Sequence, residues 1–140
     1  MGKINFSRVV LGGFLTGVVV NGCYFVVDGM VLKKDWEAAL KALGKTMEGN
    51  PFLFLAVGLS FVVAILTIWL YAAIRPRYGP GPKTALRVAF AVWTIGSLPY
   101  TVGQLAMGLF PARITLIDGA VGIVIVPIAT LLGAWVYKED

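Results

Sequence analysis

The sequence predicts an all-α fold, a bundle of four transmembrane helices with a short amphipathic helix at the membrane interface between spans 1 and 2. Three observations lead there. First, 59% of the 140 residues are hydrophobic and 14% are charged, against roughly 45–50% and about 25% in soluble domains. A water-soluble chain of this size leaves about a third of its unfolded surface exposed, and the polar side chains here are too few to cover it. Second, four stretches carry no charge: Val9 to Val27, Phe52 to Ile74, Val88 to Ala112 and Gly119 to Tyr137. Each is about as long as the roughly 20 apolar residues that cross the hydrocarbon layer as a helix. Lipid offers the backbone no hydrogen-bond partners, so these stretches must be helical. Third, charges, prolines and glycines gather between the stretches, where short connections are needed.

With their flanks the spans read as about 9–32, 51–74, 85–109 and 115–137, in a single membrane domain covering 1–140. Span 1 begins after Lys3 and Arg8, and Val20-Asn21-Gly22-Cys23 has the look of the end of a lipoprotein signal. Asn21 departs from the small or apolar residue expected there, and the apolar run continues through Tyr24-Phe25-Val26-Val27. A retained first helix is the expectation.

Between spans 1 and 2, Leu32, Trp36, Leu40, Leu43 and Met47 recur every three or four residues, with Glu37, Lys41 and Lys45 opposite. That is the period of an amphipathic helix. Asp35 fits its N-cap, Glu37 can pair with Lys41, and Gly49-Asn50-Pro51 should stop it. Such a helix lies in the headgroup region or packs as a lid over a cavity between the spans. The connection Arg75-Pro76-Arg77-Tyr78-Gly79-Pro80-Gly81-Pro82-Lys83 reads as a tight basic turn, its prolines and glycines too dense for helix. The last connection, around Phe110 to Arg113, is shorter, so spans 3 and 4 form a close hairpin. Trp69-Leu70-Tyr71 and Trp135-Val136-Tyr137 close spans 2 and 4 as an aromatic belt would.

Orientation follows from Lys and Arg. Seven (Lys3, Arg8, Arg75, Arg77, Lys83, Arg87, Lys138) fall on the side of the termini and five (Lys33, Lys34, Lys41, Lys45, Arg113) on the other. The acidic residues sharpen the contrast. Glu139 and Asp140 join the first side, and Asp28, Asp35, Glu37, Glu48 and Asp118 the second, so the whole formal charge of +5 belongs to one face. That face is assigned to the cytoplasm, with both termini inside. A basic juxtamembrane cluster suits anionic lipid headgroups, so the high pI of about 9.6 does not argue for nucleic acid.

Chemistry has few places to reside. The chain has no histidine and one cysteine, Cys23, which excludes imidazole metal sites, histidine haem ligation and histidine bases. No catalytic set, metal site or cofactor is expected. Polar groups within spans are costly and each needs a reason. Gly17, Asn21, Tyr24 and Asp28 recur at helical spacing on span 1, Tyr100 and Gln104 share a face of span 3 with Thr101 beside it, and Asp118 opens span 4 near Arg113. Together Asn21, Tyr24, Asp28, Tyr100, Gln104, Arg113 and Asp118 could line one outward-facing polar cavity. Alternatively, Asp28-Gly29 and Asp118-Gly119 mark helix ends, with Asp118 as N-cap. Gly13 and Gly17 form a close-approach motif, and Gly103 and Gly122 supply further small surfaces for helix packing.

Leu98-Pro99, Ile117-Asp118-Gly119 and Gly133-Ala134-Trp135 give the C-terminal half a likeness to another group. It resembles small uncharacterised bacterial four-helix membrane proteins, classed as domains of unknown function. The resemblance implies a four-span fold and a bacterial inner-membrane location, and implies no activity. Two functions fit the residues. One is a non-catalytic module in the lipid bilayer, an accessory or self-associating protein that meets a second copy or another membrane protein. The other is a small-solute or ion transporter or channel, dimeric because four helices enclose little volume.

Overall fold

The computed structural model describes residues 3–138 and is all-helical, with no strand among them. Helix α1 spans Phe6–Val26 and runs without a break into a π-helical turn, Val27–Val31. A short α2 follows at Lys33–Ala42, then α3 at Pro51–Tyr78, α4 at Pro82–Met107 and α5 at Ala112–Val136. The continuous helix Phe6–Val31 and helices α3, α4 and α5 are each long and apolar enough to cross a membrane. The four expected spans are therefore all present. Glu139 and Asp140, used in the charge count, lie outside the described residues.

Local chemistry sets most boundaries. The Asn5 side chain accepts the Arg8 N–H at 3.1 Å and caps α1, and Asn50 accepts the Phe52 N–H at 3.0 Å before Pro51 opens α3. Asparagine at the cap and proline in the first turn satisfy or remove backbone donors that have no partner within the helix. Gly108, with φ of +63°, closes α4 in the left-handed conformation that glycine adopts without strain.

Three boundaries correct the expectations. The basic turn at 75–83 is mostly helix: α3 continues through Pro76 to Tyr78, and α4 begins at Pro82, leaving only Gly79 to Gly81 between them. A proline in the last turn of a helix forfeits a single N–H, and one at the first position forfeits a donor that would be unpaired anyway. Helix α2 ends at Ala42 rather than near Gly49, because the chain turns through Gly44 at φ +66°. Leu43 and Met47 are consequently exposed. Asp35 is not the N-cap. The π turn passes directly into α2, with the Leu32 N–H donating to the Val27 carbonyl and the Trp36 N–H to the Leu32 carbonyl, so no side-chain cap is required.

Helix α1 packs between α3 and α5, and α4 packs mainly along α5. The bundle is tight at the end that holds the start of α1 and the finish of α5. There Val9, Ile68, Tyr71, Ala72, Val88 and Tyr137 are buried together. Small residues let the backbones approach: a methyl group on Gly12 would sit 2.6 Å from the Gly133 carbonyl oxygen. The Thr16 hydroxyl fits the same contact, donating to the carbonyls of Gly12 and Ala129 at 3.0 and 3.2 Å. The aromatic belt is only half as expected. Trp69 and Trp135 are exposed, but Tyr71 and Tyr137 are buried edge to face with centroids 6.0 Å apart. The Tyr71 hydroxyl accepts the Gly81 N–H and so holds the α3–α4 turn.

Toward the α2 end the bundle opens. Residues 51–59 of α3 are all exposed, and no residue of α4 from Ile95 to Met107 is buried. A second apolar cluster closes part of this end, with Leu32, Ala39 and Ile114 buried against Val27, Trp36, Phe110 and Ile117.

Candidate functional site

The gap between α1 and α4, over α5, forms a cavity of about 290 Å³. Helix α5 supplies its floor through Asp118 and Gly119, α1 one wall through Tyr24, and α4 the other through Gly96, Ser97, Tyr100 and Thr101. Glycine is required in the floor. A methyl group on Gly119 would lie 2.9 Å from the Thr101 side chain, and one on Gly122 would lie 2.9 Å from the Tyr24 hydroxyl and 3.1 Å from Trp93 Nε1.

Hydrogen bonds fix the walls. The Tyr24 hydroxyl donates to the Asp118 backbone carbonyl at 3.4 Å, and the Trp93 indole N–H donates to the Gly119 carbonyl at 3.2 Å. Asp28 lies one turn beyond Tyr24, whose hydroxyl meets Asp118, and so stands on the part of the first helix nearest the Asp118 side chain. Asp28 Oδ1 also accepts the Trp36 indole N–H at 3.3 Å. Asp118 Oδ1 is buried with no partner in the protein, as is Gln104 Oε1. A buried carboxylate oxygen with no protein partner is costly, and a cation beside it removes that cost.

Asp118 does not mark a helix end, whereas Asp28 lies in the last turn of the continuous helix Phe6–Val31. Asp118 lies about 9 Å along α5 from its first residue, by the helical rise per residue, and Pro111 holds the N-cap position. Asp28 sits inside the π turn that continues α1. Such one-turn π segments recur at functional sites, and here the wider turn carries one of the two carboxyls.

The residues expected to share one cavity divide into three groups. Tyr24, Tyr100 and Asp118 line it, with Asp28 one turn beyond Tyr24. Asn21 turns to α3 instead, donating to the Ser60 hydroxyl at 2.7 Å and to the Gly17 carbonyl at 2.8 Å. Arg113 stands in the first turn of α5 and pairs with Asp35 of α2 at 3.5 Å, its side chain 70% exposed. Gln104 is on α4, one turn past Tyr100, and does not line the cavity. Among the packing glycines, Gly13 lies against Ile65, Gly17 against Phe61 and Gly122 against Tyr24, whereas Gly103 faces open space. Ser97 and Trp93 were not singled out from the sequence. Their spacing of three and four from Gly96, Tyr100 and Thr101 is a signal that could have found them.

Four helices long and apolar enough to cross a membrane define a multi-pass helical membrane protein. No family model, curated protein or solved structure matches the chain, so the reading of its role rests on this geometry.

Proposed function

We propose that the chain is a bacterial inner-membrane protein, termini in the cytoplasm, whose cavity binds a small cationic solute as the binding unit of a carrier. The observation that carries this is the Asp118 carboxyl oxygen, buried without a protein partner in a cavity edged by two tyrosines, with Asp28 one turn beyond Tyr24. Carboxylates supply charge, and tyrosine rings and hydroxyls supply cation–π contact and hydrogen bonds. Among the described residues no three His, Cys, Asp or Glu side chains converge, so the chemistry suits an organic or monovalent cation better than a metal ion held by a full ligand set. The excess of Lys and Arg at the terminal end supports the orientation.

One copy supplies a binding cavity. The terminal end is filled by the core around Ile68 and Tyr71, so passage across the membrane requires rearrangement or a second copy. Self-association is the second reading, and one observation favours it. Gly58 and Gly103 stand on exposed faces with nothing near them, the small surfaces that let a neighbouring helix approach. In contrast, Gly13 and Gly17 are already used inside the chain.

The test is equilibrium binding of butyltrimethylammonium to protein in lipid nanodiscs. Asp118→Asn should lose binding while its thermal unfolding stays near that of the wild type. Equal binding by both proteins would reject the cation reading. Gly103→Leu tests the second reading, since it should reduce cross-linking between copies without altering the fold.

A further inference from the structure

The cavity has an open side and a closed end, and together they say what kind of cation it takes. One turn outward from the carboxyls, Leu32, Ile114 and Ile117 pack with Trp36 and Phe110 under α2. This apolar cluster lies between the carboxyls and the water beyond α2, and the Trp36–Asp28 hydrogen bond ties α2 down over it. The outward-facing mouth expected from the sequence is therefore covered. The terminal end is filled as well. Opposite the α5 floor, however, no residue of α3 lines the cavity, and residues 51–59 of α3 are all exposed. A Cβ on Gly96 would meet nothing within 4 Å, and Tyr100, which lines the cavity, is 61% exposed. The side of the cavity away from α5 is therefore unlined, and its floor lies about 9 Å along α5 from that helix's first residue.

A solute that reaches the carboxyls through lipid must itself partition into lipid. We infer that the cavity takes an amphiphilic ammonium ion, its charged head against Asp28 and Asp118 and its alkyl chain lying out between α3 and α4 in the bilayer. This rests on the cation-binding reading and specifies its substrate class and its route. The apolar flank of α3, with Phe52, Phe54 and Leu55 exposed, suits an alkyl chain and offers nothing to a hydrated ion. The exposed Tyr100 ring stands where head and chain would join.

The experiment extends the nanodisc assay to alkyltrimethylammonium ions from methyl through butyl and hexyl to octyl, each measured on the wild type, Asp118→Asn and Gly96→Phe. Gly96 has free space around it, so the phenylalanine fills the opening without disturbing a packed contact. If entry is lateral, the Asp118-dependent apparent affinity rises about three- to fourfold per added methylene, following transfer of the chain from water. Gly96→Phe then abolishes binding of the longer ions. An Asp118-dependent affinity that is the same for tetramethyl and octyl ions would overturn the lateral route and leave the cation site standing. Loss of Asp118 dependence across the whole series would reject the cation site, and this inference with it.

Discussion

The Trp36 indole donates to Asp28 at 3.3 Å, so the short helix α2 is fastened to the π turn that ends the first span. The same indole packs edge-on against Phe110, with centroids 5.2 Å apart. One side chain thus links α2, the π turn and the α4–α5 connection. A helix of ten residues has little stability alone in water, and these contacts hold it.

Trp36→Phe keeps an aromatic ring but removes the donor. Amide hydrogen exchange across Lys33–Ala42 should quicken while the four long helices stay protected. A single hydrogen bond contributes about 0.5–1.5 kcal/mol net, enough for a several-fold change in exchange. Unchanged exchange in α2 would mean that the bond does not hold it.

The contacts of α1 with α3 leave no room for side chains at Gly13 and Gly17, which lie against Ile65 and Phe61. Gly13→Leu or Gly17→Leu should destabilise the protein by about 1–3 kcal/mol, read by thermal unfolding in detergent. Gly103→Leu, facing open space, should change monomer stability by less than about 0.5 kcal/mol.

Asn21 and Ser60 exchange a hydrogen bond of 2.7 Å inside the membrane. A double-mutant cycle of Asn21→Val and Ser60→Ala should return a coupling of about 0.6–1.7 kcal/mol. A coupling of zero would separate Asn21 from α3.

The Arg113–Asp35 pair is of another kind. The guanidinium side chain is largely exposed, and exposed pairs contribute between nothing and about 1 kcal/mol. Arg113→Ala should leave the unfolding temperature nearly unchanged, and raising the salt concentration should erase whatever difference remains.

The spans were legible because the bilayer imposes one requirement on every residue in a long window, and composition alone reports it. The site was legible only in part. Helical spacing placed Gly17, Asn21, Tyr24 and Asp28 along one stripe of α1. That stripe is broad, and α1 lies between two helices, so Gly17 and Asn21 face α3 while Tyr24 meets α5. Periodicity gives a residue's position around its own helix and is silent about the neighbour. Asp28 and Asp118 fit helix ends equally well in the sequence, because an Asp-Gly pair is a common boundary signal. The π turn at Val27–Val31 carries the helix one turn past Val26 and takes in Asp28, and the early start of α5 at Ala112 sets Asp118 well inside its helix. Pro76 misled because a proline within a helix forfeits a single N–H and is accommodated here, as Pro99 and Pro127 are inside α4 and α5.

Everything proposed here depends on the two carboxyls meeting across α1 and α5. In a Cys23→Ala background, Asp28→Cys with Asp118→Cys should be bridged within one chain by a short bis-methanethiosulfonate reagent in native membranes. The bridged product should form as readily as that of a control pair, Asn21→Cys with Ser60→Cys. If the control pair is bridged and the 28–118 pair is not, the two aspartates do not share a site.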